Sequence, residues 1–170
     1  VVGIFENKLK IVNRLKEWIS NNIMDSISGT YQTSLEVLKM INELNGIGYI
    51  AHINSSDIFK PDFLSGGYKK HLFNSINNRL LGVSDLDKIP TVKDNLKKYT
   101  KKSYNFVLDE DSHSLDTLAT KPFWIKGQKI DFTMLKNAIR DFEISTEYEE
   151  PEKPNVFIKE QSHYLEQAKG

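Results

Sequence analysis

Three side chains could together do metal chemistry: His52, Asp111 and His113. The first closes the apolar run Gly48-Tyr49-Ile50-Ala51-His52, just ahead of Ile53 and Asn54. The other two close Tyr104-Asn105-Phe106-Val107-Leu108-Asp109-Glu110-Asp111-Ser112-His113-Ser114. Both runs read as buried strands, and in parallel α/β folds catalytic groups collect at the C-terminal ends of strands. If residues 111–113 stay extended, Asp111 and His113 share a face, roughly 6.5 Å apart along the strand. Two metal ions about 3.5–4 Å apart could each take one of them, bind a phosphate and activate water. Asn54, Asp109 and Glu110 lie close enough in sequence to hydrogen-bond and orient such ligands. A plainer alternative stays open. A lone histidine at a strand end is more often a hydrogen-bonded structural residue than a ligand, and Asp-x-His by itself arises by chance.

Other charged groups carry weaker signals. His71 falls in a predicted helix beside Lys69 and Lys70 and reads as a surface residue, and His163 has no assigned role. Lys93, Lys97, Lys98, Lys101 and Lys102 form a basic run that reads first as a solvated helix face and second as a contact for phosphate backbones. Lys126, in Phe123-Trp124-Ile125-Lys126-Gly127, could reach an anion, although nothing in its spacing requires one. The chain has no Walker A sequence, no Gly-x-Ser-x-Gly elbow and no dinucleotide-binding glycine pattern. It has no cysteine, so thiolate ligands, thiol nucleophiles and disulfides are excluded.

The elements that must position these groups follow from periodicity. Ile11, Leu15, Trp18 and Ile19 predict an amphipathic helix over 6–21. Thr33 and Glu36 predict a capping box opening a second helix, with Gly46 as its stop. Ile47 to Ala51 is a buried strand, followed by a polar loop over 55–67. Leu72, Phe73, Ile76 and Leu80 predict a helix, residues 81–84 a strand, 91–99 a basic surface helix and 104–108 the next strand. Phe123 to Ile125 is a short apolar element, and Asp131 caps a last helix through Phe132, Leu135, Ile139 and Phe142. Helix and strand alternate, which predicts a parallel α/β layer or barrel segment.

The 170 residues suit one domain with a real core. With 39% hydrophobic and 27% charged residues the chain reads as globular. Lys+Arg and Asp+Glu are both 23, so bulk charge argues for neither nucleic acid nor an anionic membrane. No apolar run is long enough to span a bilayer and no signal-peptide pattern is present, so no membrane partner and a cytoplasmic location are expected. Pro151 and Pro154 frame a charged linker, after which 155–159 reads as a strand opening another domain.

At these residues the chain resembles the PHP family, the polymerase and histidinol phosphatase metal-dependent phosphoesterases. Gly48 to His52 is similar to the family's third motif, a strand ending in Ala-His or Ser-His. Leu108 to Ser114 is similar to its fourth, Asp-Ser-His or Asp-Ala-His. Thr120-Lys121-Pro122-Phe123-Trp124-Ile125-Lys126-Gly127, with the helix to Arg140, resembles the members fused to an SMC-like or ABC-type ATPase of the DNA-repair-related kind. The resemblance runs from Thr33 to Ile158. It implies a distorted (β/α) barrel with parallel strands, related to TIM barrels, that binds two or three Zn, Mn or Fe ions and hydrolyses phosphate esters. His52, Asp111 and His113 are then metal ligands, the partner is a covalently linked ATPase domain, and the substrate is a nucleic acid or nucleotide.

The chain departs from that pattern in one respect above all. No histidine precedes His52, so the first-motif His-x-His and the second-motif histidine are missing, and Ile53 stands where proline is common. Residues 1–150 then correspond to the C-terminal half of a PHP-like domain, a partial barrel, and 151–170 to a linker and the start of the ATPase. By itself such a half should have little or no phosphatase activity, and its open edges predict a homodimer or other strand pairing. Two rival readings are a catalytically degenerate PHP scaffold that docks or regulates the ATPase, and a nucleic-acid-binding module using the Lys93 to Lys102 face.

Overall fold

The computed structural model describes residues 1–23, 32–109 and 123–152. A strand, β1 (Val2–Ile4), precedes the first helix, α1 (Leu9–Asn22). The apolar stripe of α1 is only half covered: Leu15 and Trp18 lie against Met40, Ile41 and Leu44, and no residue of the helix is fully buried.

The second helix, α2 (Ser34–Glu43), begins at the predicted capping box. Thr33 N donates to Glu36 Oε2 at 2.7 Å and Glu36 N to Thr33 Oγ1 at 3.3 Å. Two N–H groups that a helix start leaves bare are thereby satisfied. The stop differs from the expectation. Asn45, not Gly46, takes the left-handed conformation, with φ 60°. Asparagine tolerates that region, so glycine is not needed for the turn. Gly46 is needed for packing instead, because a Cβ there would lie 2.8 Å from the Phe5 ring.

Strand β2 (Ile47–Tyr49) pairs antiparallel with β1, with Gly3 opposite Gly48. Then come a 3-10 turn (Asp57–Phe59), helix α3 (Gly66–Asn74) and strand β3 (Leu80–Val83). Helix α4 (Ile89–Leu96) leads to strand β4 (Asn105–Leu108). β3 and β4 pair in parallel from Leu80–Asn105 to Val83–Leu108, and a parallel bridge between Ile50 and Leu81 brings in the end of β2. β2, β3 and β4 therefore run the same way, linked by crossovers that contain α3 and α4, as parallel pairing demands.

The last elements are β5 (Trp124–Ile125), α5 (Phe132–Arg140), α6 (Phe142–Ser145) and β6 (Thr146–Glu147), with β5 and β6 antiparallel. Asp131 caps α5 as expected, accepting from Met134 N at 2.7 Å.

The helix read through Ile76 and Leu80 ends earlier, at Asn74. Side chains from beyond it hold its last carbonyls. Buried Asn78 donates to Leu72 O at 3.2 Å, and Tyr104 Oη donates to Phe73 O at 2.6 Å. Ile76 is left 70% exposed, and Leu80 joins β3 instead.

Strand alternation splits the core in two. Leu81, Val83 and Phe106 pack with Leu38, Leu72, Phe73, Val92 and Leu96 of α2, α3 and α4. Leu80 and Val107 pack with Ile47 and with Phe132, Leu135, Ile139 and Phe142 of α5 and α6. Covered on both faces, the strands are apolar nearly throughout. The architecture is mixed α/β with a parallel strand pair, and the described strands do not close a barrel. In the β4 ladder Asn105 N and Asp109 N face β3 (3.4 Å to Arg79 O, 3.0 Å to Val83 O), so Phe106 faces the outer edge. There its carbonyl accepts from Tyr148 Oη at 2.8 Å, and the Tyr148 ring lies 5.7 Å from that of Phe123.

Candidate strand-end site

β2 delivers the chain to His52, whose backbone is left-handed with φ 28°. A non-glycine residue there is strained, and such strain persists only when its surroundings over-determine it. Here they do. His52 N donates to Asp109 Oδ2 at 2.7 Å, and Ser55 donates to His52 O through both N and Oγ at 3.0 Å. The next residue, Ile53, is fully buried and donates to Gly82 O at 2.8 Å.

Asp109 emerges from β4, two strands away from β2, and its side chain is only 8% exposed. To reach His52 the carboxylate crosses Gly82 of β3. A Cβ on Gly82 would lie 2.5 Å from Asp109 Cγ, closer still to Oδ2, and 2.9 Å from Tyr49 Cε2. Glycine inside a strand marks such a close approach. Burial raises the pKa of the Tyr49 phenol, and the nearby Asp109 charge raises it further.

The imidazole also faces this carboxylate. His52 Nδ1 stands 3.6 Å from Asp109 Oδ2, too far for a hydrogen bond. Nδ1 is buried and has no hydrogen-bond partner among the described residues. The ring's exposure, 37% for the side chain, therefore falls on its other atoms. That leaves Nε2 as the nitrogen able to meet a ligand.

Asn54 clips the loop after β2 to the end of β3. Its Nδ2 donates to Ser84 Oγ at 2.8 Å, and Ser84 N donates to its Oδ1 at 3.0 Å. His52, Asn54 and Asp109 are thus brought together at one end of the strands. Gly82, Tyr49 and Ser84 join them and were not singled out by spacing; a glycine within an apolar strand was the available signal for the first. Glu110, Asp111 and His113 lie outside the described residues, as do His163 and residues 153–170. Among the described residues no group of three or more His, Asp or Glu is arranged to hold a metal ion.

The remaining cations are placed elsewhere. Lys126 pairs with Glu147 beside the β5–β6 ladder. His71 is exposed on α3. Of the basic run, Lys97 pairs with Asp94 at 2.7 Å and Lys93 lies 5.7 Å from the centre of the Phe106 ring. Lys102 donates to Ser75 O at 2.8 Å and to Asn78 O, 4.8 Å over the Tyr104 ring. Burial, with Arg79 nearby, lowers its pKa. α4 is less a surface helix than its lysines suggest, since Val92 and Leu96 are buried.

No family model and no solved structure matches the chain. The chain is similar to an uncharacterized protein of Streptococcus pneumoniae (serotype 4), 42% identical over 66 residues that make up 38% of this chain and 26% of that protein. The matched segment thus spans about a quarter of that relative's length. No helix among the described residues is long and apolar enough to cross a membrane.

Proposed function

We propose that this chain is part of a metal-dependent phosphoesterase domain of the PHP kind, a partial (β/α) barrel whose active end is the C-terminal end of β2, β3 and β4. The observation that carries the reading is the restraint on His52. A strained backbone and a buried Nδ1 facing Asp109 leave one imidazole nitrogen for a ligand, with a carboxylate on the side where metal-binding histidines carry a hydrogen-bond partner. Asp111 and His113 follow Asp109 by two and four residues in sequence, and with His52 they supply donors of the type that Zn, Mn or Fe accepts. Two or three such ions, when bound, supply a water nucleophile and offset charge on phosphoryl oxygens. The chain's own part is to hold the ligands. Asp109 fixes the His52 backbone, Gly82 gives Asp109 its passage, and Asn54 with Ser84 fixes the loop.

The reading further assigns the missing His-x-His ligands to chain outside these residues, and an ATPase domain as covalent partner, with nucleic acid or nucleotide phosphate as substrate. A Mn(II) titration followed by NMR tests it. Paramagnetic broadening centred on His52, Asn54, Ser84 and Asp109, and abolished by His52→Ala, is expected. Broadening scattered over surface carboxylates, unchanged in that variant, overturns it. That result would favour a scaffold that keeps the fold without catalysis.

A further inference from the structure

We propose that a second site lies at the opposite, N-terminal end of the parallel strands and binds a phosphorylated small molecule. A cleft of about 380 Å³ opens there between β3, β4 and α5. Arg79, Lys136 and Arg140 line it, with the carboxamides of Asn77 and Asn105, and among the described residues no aspartate or glutamate takes part in the lining. Ile76, the 70% exposed residue left over by the early end of α3, forms an apolar wall.

The lining is selective in a chain whose acids and bases balance at 23 each. Lys136 and Arg140 sit one turn apart on α5, where like charges oppose each other. The helix's own carbonyls account for Arg140, which stands in its last turn, but not for Lys136 or for Arg79. Each cation's bonds among the described residues are few. Arg79 uses Nε on Ile76 O at 3.0 Å, and Lys136 uses Nζ on the backbone and side-chain oxygens of Asn45. Of the three, only Arg140 meets a carboxylate among the described residues, that of Asp141 at 2.9 Å. The remaining guanidinium and ammonium donors suit the several oxygens of a phosphate, which takes paired N–H donors from arginine and a point charge from lysine. The asparagine amides add neutral donors and acceptors. The length of β3, about 13 Å for its four residues at the usual rise, separates this cleft from His52 and Asp109. The two sites stand or fall separately.

Inorganic pyrophosphate is the probe, titrated into the protein at low ionic strength by calorimetry and by NMR. Saturable binding is expected, with side-chain amide shifts at Asn77 and Asn105. Arg79→Ala and Lys136→Ala should each weaken it about tenfold. Lys97→Ala and Lys101→Ala remove the same charge elsewhere and should leave it unchanged. No saturable binding, equal weakening by the two control variants, or shifts gathered on the Lys93 to Lys102 face would each overturn the proposal.

Discussion

Asp109 Oδ2 accepts a 2.7 Å hydrogen bond from the backbone N–H of His52, 57 residues away, by passing over the Cα of Gly82. One carboxylate from β4 therefore sets the conformation at the end of β2, and the intervening strand must carry no side chain at the crossing.

Gly82→Ala tests that dependence. The added Cβ forces the carboxylate away and leaves the His52 N–H without its acceptor, at a cost of about 2 kcal/mol. In an Asp109→Ala background the two nearest obstructing atoms are gone, while the Tyr49 ring stays within 2.9 Å of the added Cβ. Urea unfolding of the two single variants and the double variant should show a smaller effect of Gly82→Ala there. Additive losses would mean that the crossing does not matter.

The left-handed backbone at His52 predicts an unusual order of stabilities. At an ordinary position glycine is less stable than alanine, by about 0.5–1 kcal/mol within a helix or strand. At φ 28° alanine keeps the steric cost that glycine escapes, about 1–2 kcal/mol. His52→Gly should therefore match or exceed His52→Ala in thermal stability. An alanine variant clearly more stable than the glycine variant would rule out strain at this residue.

Tyr104 predicts alkaline sensitivity. Its hydroxyl donates to Phe73 O, and burial raises its pKa well above the ordinary tyrosine range. A raised folded pKa means that the protonated phenol contributes its stability in full below the unfolded value, about 10, and loses it progressively as pH rises beyond. Tyr104→Phe should cost about 1 kcal/mol near neutrality and flatten the alkaline limb of the stability profile. Some slope should remain, because burial also raises Tyr49 and Tyr148. An alkaline limb of unchanged steepness in Tyr104→Phe would refute the assignment.

Glu36 predicts the opposite limb. Hydrogen bonds from the Thr33 backbone, then from its side chain, lower the Glu36 pKa. A lowered folded pKa contributes stability that is present above the unfolded value and is lost as pH falls through the folded one. The stability difference between the wild type and Glu36→Ala should be complete at neutral pH and close below the ordinary glutamate range. A difference that persists unchanged into strong acid would assign the effect to helix propensity instead.

The elements were legible in the sequence wherever the cause is local. Thr33 with Glu36, Asp131 and the apolar strands each act through neighbours within a few positions, so the capping box and the α5 start appear where spacing puts them, and β2, α3, β3, α4 and β4 follow in the expected order. The end of α3 was not legible, because Asn78 and Tyr104 act on it from outside the helix. Nor was the left-handed turn at Asn45, where two adjacent residues both suit the conformation. At the site, His52, Asn54 and Asp109 could be singled out by type. What joins them could not, because the Asp109 crossing spans 57 residues and depends on an atom that Gly82 lacks.

The Tyr148 hydroxyl on Phe106 O has a consequence for assembly. A strand added beside β4 would have to displace that hydroxyl and the ring that lies tilted against Phe123, whereas the outer side of β1 meets no such obstacle among the described residues. Among the described residues, strand addition therefore meets less resistance beside β1 than beside β4, where a phenol and its ring must first be moved.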